Sequence, residues 1–133
     1  MFEGISIDKI SFHLPEKIEH NLQLDIQNPE WKVHEVAKKT GILQRHITEE
    51  NETAVDIAYK AAKKLIKEYK LNTKSIDSLI LVTQSPDYVL PSSSCILQER
   101  LNLNKNILAF DIGLGCSGFV NSLSVALSLI SSK

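Results

Sequence analysis

The pattern of apolar and polar positions predicts a strand and a short helix in the first part of the chain. Residues Ile5 to Leu14 alternate with a period close to two, which is typical of a strand, and Pro15 closes the run. The stretch from Trp31 to Lys39 is compatible with a short helix, because Gly41 follows it as the kind of residue that ends one. The residues between these two stretches are polar and irregular.

A longer and more regular helix is predicted to begin after Thr53. Asp56 lies three residues after Thr53, which is a variant of the capping box. Apolar side chains then recur at helical spacing as far as Tyr69, and lysines occupy the opposite face. These lysines are Lys60, Lys63, Lys64 and Lys67. The lysine face could dock an acidic carrier protein, but a solvated face is the usual arrangement on an amphipathic helix.

Two short apolar runs that follow predict buried strands of a parallel sheet. The runs, 78–83 and 107–112, show no alternation, as expected for strands covered on both faces. Between them, Pro91 is predicted in the first turn of a helix that carries Cys95 in the core. A last helix is predicted from Ser117 to Ser132. The order helix, strand, helix, strand, helix predicts an α/β fold with an at least partly parallel sheet.

The last predicted helix is apolar or small on every side. No charged residue occurs between Asp111 and Lys133. A helix of this kind requires burial all round, and the two or three strands of this chain can cover only one side of it. We therefore expect the rest of a longer chain, or a partner subunit, to cover this helix.

Composition and charge narrow the class of protein. The chain has 133 residues, 43% hydrophobic and 23% charged, which are ordinary values for a globular domain. A net charge of −1 gives no reason to expect nucleic-acid binding. The first residues lack the apolar segment of a signal peptide, and no apolar run is long enough to span a membrane. These features predict a cytoplasmic protein that binds neither nucleic acid nor membrane.

Cysteines and histidines give no sign of a metal site or a disulfide framework. The two cysteines lie twenty-one residues apart, which matches neither a disulfide scaffold nor a zinc site. The four histidines, His13, His20, His34 and His46, do not share the spacing of metal ligands. We expect no bound metal.

Cys116 is the candidate nucleophile, because it lies on a glycine-rich turn between a buried strand and a helix. Gly113, Gly115 and Gly118 allow sharp backbone angles and close approach of a substrate. A helix N-terminus favours the thiolate form, and its free N–H groups can stabilise an oxyanion on a thioester. The alternative is a buried structural cysteine. A cysteine nucleophile also requires a base, and the sequence offers no obvious one.

The residues around Cys116 resemble a known family. The segment Phe110–Phe119, FDIGLGCSGF, resembles the active-site cysteine motif of β-ketoacyl-acyl-carrier-protein synthase III, the condensing enzyme that starts fatty-acid chains. Three further stretches match that family in order, namely 39–47, 51–53 and 86–98. The resemblance covers the chain from about Ile5 to its last residue.

The resemblance implies a thiolase-like α/β fold of two similar halves that works as a homodimer. Residues 1–133 would be the N-terminal half, with a mixed, partly parallel sheet and a buried central helix after the cysteine turn. Cys116 would take an acyl group from acyl-CoA. A His and an Asn from the second half would then promote decarboxylation of a malonyl group on acyl carrier protein. Acyl-CoA and malonyl carrier protein are substrates, so no cofactor is implied.

The resemblance also implies substrate-binding residues. Leu90 falls where the family places a residue that reaches the partner subunit's acyl pocket, although ordinary loop packing is the alternative. Trp31 and Lys39 fall near the residues that hold coenzyme A. Lys39 replaces an arginine, which keeps the charge but loses the planar fork, and Trp31 lies further upstream than the family pattern. These two departures allow a carrier-protein-bound or otherwise different acyl donor. Gly115 and Ser117 replace the alanines that flank the cysteine in the family, which suggests a relative outside the housekeeping enzyme.

Two other interpretations remain open at this point. The chain could be a truncated, non-catalytic module for dimerisation or partner binding, as the missing base and the uncovered helix suggest. A related condensing enzyme, such as a hydroxymethylglutaryl-CoA or chalcone-type synthase, shares the cysteine and the fold. The segment from Gln84 to Pro91 favours the chain-starting type.

Overall fold

The structure, a computed structural model, describes residues 4–131. These residues form two compact units, a smaller one of residues 14–52 and a larger one of residues 4–13 and 53–131. Within the described part of the chain, no helix is both long and apolar enough to cross a membrane.

The smaller unit consists of two short helices and a two-stranded antiparallel sheet. Its elements are β1 (Ile18–His20), α1 (Asn21–Gln27), a 3₁₀ turn (Pro29–Trp31), α2 (Val33–Thr40) and β2 (Gln44–His46). Glu19 of β1 lies opposite Arg45 of β2, and the Arg45 guanidinium donates to the Glu19 carboxylate at 2.8 Å. An oppositely charged cross-strand pair of this kind stabilises the pairing of the two strands.

Helix α2 ends where the sequence predicts but begins later than predicted. Gly41 adopts a left-handed φ of 72° and donates its N–H to the Ala37 carbonyl, as expected of a helix-ending glycine. The start is later than predicted, because Lys32 is itself left-handed (φ 48°) and separates α2 from Trp31, which belongs to the 3₁₀ turn.

The larger unit has the predicted order of helices and strands. Its elements are α3 (Ala54–Tyr69), a 3₁₀ turn (Thr73–Ser75), β3 (Ser78–Val82), α4 (Ser93–Arg100), β4 (Leu108–Ile112) and α5 (Gly118–Ser131). Strands β3 and β4 pair in parallel, with Ser78 opposite Leu108 and Val82 opposite Ile112. Helix α4 connects the strands and packs against both of them and against α3. Ser132, predicted as the last helical residue, lies outside the described residues.

The predicted capping box of α3 is present. The Thr53 hydroxyl accepts the Asp56 N–H at 3.3 Å, and the Asp56 carboxylate accepts the Thr53 N–H at 2.9 Å. Val55, in the first turn, has no exposed surface and forms the core with Leu97 of α4 and Leu103. The first turn of α3 is therefore anchored both by hydrogen bonds and by burial.

Three local predictions are wrong. The segment from Ile5 to Leu14 forms no strand in the structure, since a strand is defined by a paired neighbour, and the apolar Ile10 and Phe12 are largely exposed. Helix α4 begins at Ser93, so Pro91 precedes the helix instead of lying in its first turn. Cys95 is exposed, because the buried face of α4 carries other residues, namely Ser93, Ser94 and Leu97.

Helix α5 follows the cysteine turn as predicted, but this chain covers it on one side. It contacts β3, and Gly118 is its one buried residue within the described part of the chain. Phe119 and Val120 are each 65% exposed and Ile130 is 54% exposed. These exposures agree with the expectation that an apolar helix of this composition needs more cover than the strands provide.

A carboxylate from β4 caps helix α4. The N–H groups of Ser93 and Ser94 donate to the two oxygens of Asp111, each at 2.7 Å, and both serines have no exposed surface. The Asp87 N–H donates to the Ser93 hydroxyl at 3.4 Å, and the Asp87 carboxylate accepts the Val55 N–H at 3.3 Å. Two tertiary carboxylates therefore satisfy N-terminal donors of α4 and α3, groups that have no partner within their own helices.

Replacing Asp111 should destabilise the larger unit. Asp111→Ala leaves two buried N–H groups without their acceptor, so we expect a loss of about 2 kcal/mol in the free energy of unfolding, measured by urea denaturation. Asp8→Asn is the matched control, because Asp8 is exposed and pairs with Lys9 at the surface, and it should change stability by less than about 0.5 kcal/mol. Equal stability of the two variants would contradict the capping role.

The stability of the larger unit should also depend on pH through Asp56. The Thr53 N–H lowers the pKa of the Asp56 carboxyl from its usual 3.8, and the Arg100 guanidinium, 2.7 Å away, lowers it further. Folding therefore favours the charged form, so the stabilisation is present above the usual pKa and is lost as the pH falls through the lowered one. Urea denaturation between about pH 6 and pH 3 should show a smaller fall for Asp56→Asn than for the unmodified chain. A fall of the same size in both would contradict this assignment.

Candidate active site around Cys116

Cys116 lies in a tight turn between β4 and α5, and its side chain is exposed. Beyond the end of β4, Leu114 donates its N–H to the Ile112 carbonyl at 3.0 Å. The Gly118 N–H then donates to the Gly115 carbonyl at 2.8 Å, which closes the turn that contains Cys116. The thiol therefore stands two residues before the first residue of α5, as the sequence predicts, and the structure does not bury it.

The glycines of this turn have different roles, and none has a left-handed backbone. Among the described glycines, a positive φ occurs at Gly4 and Gly41 and not at Gly113, Gly115 or Gly118. The expectation that these three glycines provide unusual backbone angles is therefore wrong. A Cβ on Gly113 would meet no atom within 4 Å, whereas a Cβ on either of the other two would meet a side chain at 2.7 Å or less. Gly118 has the closer contact, with Val82, and the contact at Gly115 is with the end of the flexible Gln84 side chain.

Gly118 lets the start of α5 approach β3. A Cβ on Gly118 would lie 2.5 Å from Cγ1 of Val82, the last residue of β3. This distance is far below van der Waals contact, so a larger residue would push α5 away from the strand. The position of Cys116 at the helix N-terminus therefore depends on a contact between Gly118 and the neighbouring strand.

Gln84 is a residue of this site that the sequence analysis did not single out. Its side-chain amide lies on Gly115, with the nitrogen 2.7 Å and the oxygen 3.1 Å from where a Cβ on that glycine would be. Gln84 comes two residues after the end of β3, and Cys116 follows β4. Since the carboxyl ends of neighbouring parallel strands meet at one edge of a sheet, a polar residue just after β3 was the available signal.

Leu90 lies in the loop that connects β3 to α4. Its side chain is 83% exposed, next to the exposed Tyr88 and Val89, and the peptide bond to Pro91 is cis. The loop therefore presents an apolar tip that does not pack against the described part of its own unit. Ordinary loop packing, the alternative interpretation of Leu90, does not fit this exposure.

Trp31 and Lys39 both belong to the smaller unit, but they do not line the same cavity. Trp31 lines a cavity of about 370 Å³ together with Val36 and Arg45, whereas Lys39 is exposed in the last turn of α2. The cation at this cavity is the Arg45 guanidinium, which the sequence analysis did not assign to a site. It donates to Glu19 and to the side chain of Asn21.

The histidines do not form a metal site with other ligands. Within residues 4–131, no group of three or more His, Cys, Asp or Glu residues could hold a metal ion. The His34 ring nitrogen Nδ1 lies 2.9 Å from the Asp25 carboxylate, and this hydrogen bond lowers the pKa of the Asp25 carboxyl. The pair connects α1 to α2 within the smaller unit.

Comparison with known proteins finds relatives along nearly the whole chain. A β-ketoacyl-acyl-carrier-protein synthase III from Wolbachia pipientis subsp. Culex pipiens is 40% identical over 123 residues, which are 90% of this chain and 37% of the relative. The enzyme of the same name from Campylobacter jejuni subsp. doylei is 40% identical over 131 residues, 96% of this chain and 39% of the relative. Over nearly its whole length, the chain is similar to β-ketoacyl-acyl-carrier-protein synthases III. No family model matches it.

The structural comparison supports the same relationship. A 2.1 Å crystal structure of 3-oxoacyl-acyl-carrier-protein synthase III superposes with a TM-score of 0.84 and 44% identity, over 93% of this chain and 37% of that one. This match confirms the thiolase-like α/β fold. The chain spans about two fifths of the length of these synthase III relatives.

The contact between Gly118 and Val82 can be tested by stability. Gly118→Ala should destabilise the chain by about 1–3 kcal/mol in urea denaturation, since the added methyl group overlaps Val82 by more than packing tolerates. Gly113→Ala is the matched control from the same turn, because it adds its methyl group to open space. Val82→Ala should restore part of the loss in the Gly118→Ala background, and an additive loss in the double variant would contradict the contact.

Proposed function

We propose that this chain is the N-terminal, nucleophile-bearing half of an enzyme of the β-ketoacyl-acyl-carrier-protein synthase III type. In that role, Cys116 accepts the acyl group of an acyl thioester, and the acyl-enzyme then condenses with a malonyl group on acyl carrier protein. The observation that carries the proposal is the exposed Cys116 thiol at the N-terminus of α5, in a chain similar to these synthases over at least 90% of its length.

The acylation step follows from the geometry of the turn. The Cys116 thiolate attacks the thioester carbonyl carbon, and a tetrahedral intermediate with a negatively charged oxygen forms. The partial positive charge at the N-terminus of α5 favours both the thiolate and this oxyanion. The intermediate then collapses, the bond from carbon to the coenzyme A sulfur breaks, and the leaving thiolate takes up a proton. Cys116 carries the acyl group afterwards.

The proposal includes substrate contacts and partners. Leu90, on an exposed apolar loop tip, would reach the acyl pocket of a second subunit in a homodimer. Trp31 and Lys39 would contact coenzyme A, with Trp31 already lining a cavity of about 370 Å³. No cofactor is required, because acyl-CoA and malonyl acyl carrier protein are themselves the substrates. Two free cysteines are typical of a reducing compartment, which supports a cytoplasmic location.

A second candidate function is a non-catalytic module for dimerisation or partner binding. The exposed apolar side chains of α5 favour it, because such a surface usually marks a site of association. An apolar groove of about 280 Å³ also lies between α5 and the segment that contains Ile5 and Ile7. This candidate predicts an oligomer whose Cys116 has no special reactivity towards thioesters.

Acyl labelling separates the two candidates. The intact mass of the chain is measured before and after incubation with acetyl-CoA, for the unmodified chain and for Cys116→Ala and Cys95→Ala. We expect the unmodified chain and Cys95→Ala to gain one acetyl group and Cys116→Ala to gain none. Cys95 is the matched control because its thiol is also exposed, so that non-specific exchange with the thioester would label both cysteines.

Two results would overturn the catalytic proposal. Equal labelling of the two single variants would show that the acetyl group reaches any exposed thiol. A complete absence of labelling, together with an oligomer in light scattering, would instead support the non-catalytic module.

A further inference from the structure

We infer that Gln84 is a positioning residue for Cys116. The inference deepens the proposed function and rests on the role assigned there to Cys116. The Gln84 side-chain amide lies flat against Gly115, with nitrogen, carbon and oxygen 2.7, 2.9 and 3.1 Å from the position of a Cβ on that residue. Gln84 follows the neighbouring strand β3, and its side chain supports the turn that carries the Cys116 thiol by direct contact.

The backbone on the Gln84 side of this contact is held in place. Thr83 continues the parallel ladder one residue beyond β3, donating its N–H to the Ile112 carbonyl at 3.2 Å. The Thr83 hydroxyl accepts the Ser85 N–H at 3.0 Å, so the residues on both sides of Gln84 are hydrogen-bonded. The Gln84 side chain therefore extends from a fixed point towards the cysteine turn.

The turn that contains Cys116 is held by hydrogen bonds at its two ends, whereas its central residue is exposed. Leu114 bonds back to Ile112, and Gly118 bonds to Gly115 and packs on Val82. Cys116 itself is exposed, and the atoms nearest to a Cβ on Gly115 all belong to the Gln84 amide, at the end of an exposed side chain. The absence of a Cβ at Gly115 is what allows the Gln84 amide to lie there.

This contact affects reactivity through the position of the thiol relative to α5. The N–H groups at a helix start favour a thiolate only when the sulfur stays close to them. If the Gln84 amide is removed or displaced, the turn can move, and the thiol is then further from the N–H groups at the start of α5. The thiolate fraction near neutral pH then falls, and so does the rate at which Cys116 reacts with an electrophile.

The test measures alkylation of Cys116 by iodoacetamide, in a Cys95→Ser background that removes the other exposed thiol. We expect Gln84→Ala to slow alkylation at pH 7 by about fivefold, a modest effect for a displaced nucleophile. Gly115→Ala should slow it similarly, because the new methyl group displaces the amide while the backbone there needs no left-handed angle. The double variant should be no slower than either single variant, because both changes remove one contact.

Three controls separate positioning from general damage to the fold. Gly113→Ala, in the same turn but facing open space, should react like the background chain. Gln84→Met keeps the length and the packing of the side chain, so it should restore most of the rate. At pH 10, where the thiol ionises without help, the differences between variants should disappear. Urea denaturation of each variant checks the fold separately, because unfolding would also remove the helix N-terminus from beside the thiol.

Additive losses in the double variant, an unchanged rate in Gln84→Ala, or a difference that persists at pH 10 would each overturn the inference. The measurement uses no thioester and no partner protein, so it is independent of the acetyl-CoA experiment. If Cys116 never accepts an acetyl group but its alkylation depends on Gln84 as described, the proposed function fails while the positioning role stands. If Cys116 is acetylated but its alkylation is insensitive to Gln84, only the positioning role fails.

Discussion

The carboxylate of Asp111 is the interaction on which the larger unit depends. It satisfies the first two N–H groups of α4 from the neighbouring strand β4, at a helix start where the side chain of the N-cap Ser92 accepts no backbone N–H of the helix. Because buried donors without acceptors are costly, α4 can pack Ser93 and Ser94 fully into the core only while Asp111 is there. The cap therefore fixes the connecting helix to the strand that leads into the cysteine turn.

The same strand end provides both the cap and the candidate nucleophile. Asp111 is the next-to-last residue of β4, and Cys116 lies in the turn that follows. Any shift of β4 along its axis would therefore disturb the start of α4 and the position of the thiol together. Gly118 adds a second constraint, because its contact with Val82 sets how closely α5 approaches β3. A parallel strand pair with close helix starts at its carboxyl edge is a common place for a binding site in α/β folds.

The sequence predicts this structure well where the signals are local. The capping box of Thr53 and Asp56, the glycine that ends α2 and the two parallel strands in the unbroken apolar runs each depend on neighbouring residues, and each is confirmed. The expected burial of these strands on both faces is wrong, since their residues are intermediate or exposed in the described part of the chain. Two of the wrong predictions, the strand over residues 5–14 and the burial of Cys95, concern partners that are distant in sequence. Alternation from Ile5 to Leu14 indicates a strand only if another strand pairs with it, and the burial of Cys95 depends on which face of α4 meets the sheet. Gln84 was missed for the same reason, since its contact with Gly115 joins two loops.

In the proposed function, the arrangement around Cys116 accounts for acylation of the thiol and leaves the condensation that follows to residues outside the match. A helix start and an exposed turn can favour a thiolate and stabilise an oxyanion, but a decarboxylative condensation also needs groups that bind and polarise the malonyl thioester. The comparison agrees with this division, because the chain covers about two fifths of the synthase III relatives. The exposed apolar face of α5 follows from the same division. In the proposed function, α5 begins two residues after the candidate nucleophile and would lie close to the centre of the complete site, where the rest of the enzyme would cover its exposed face.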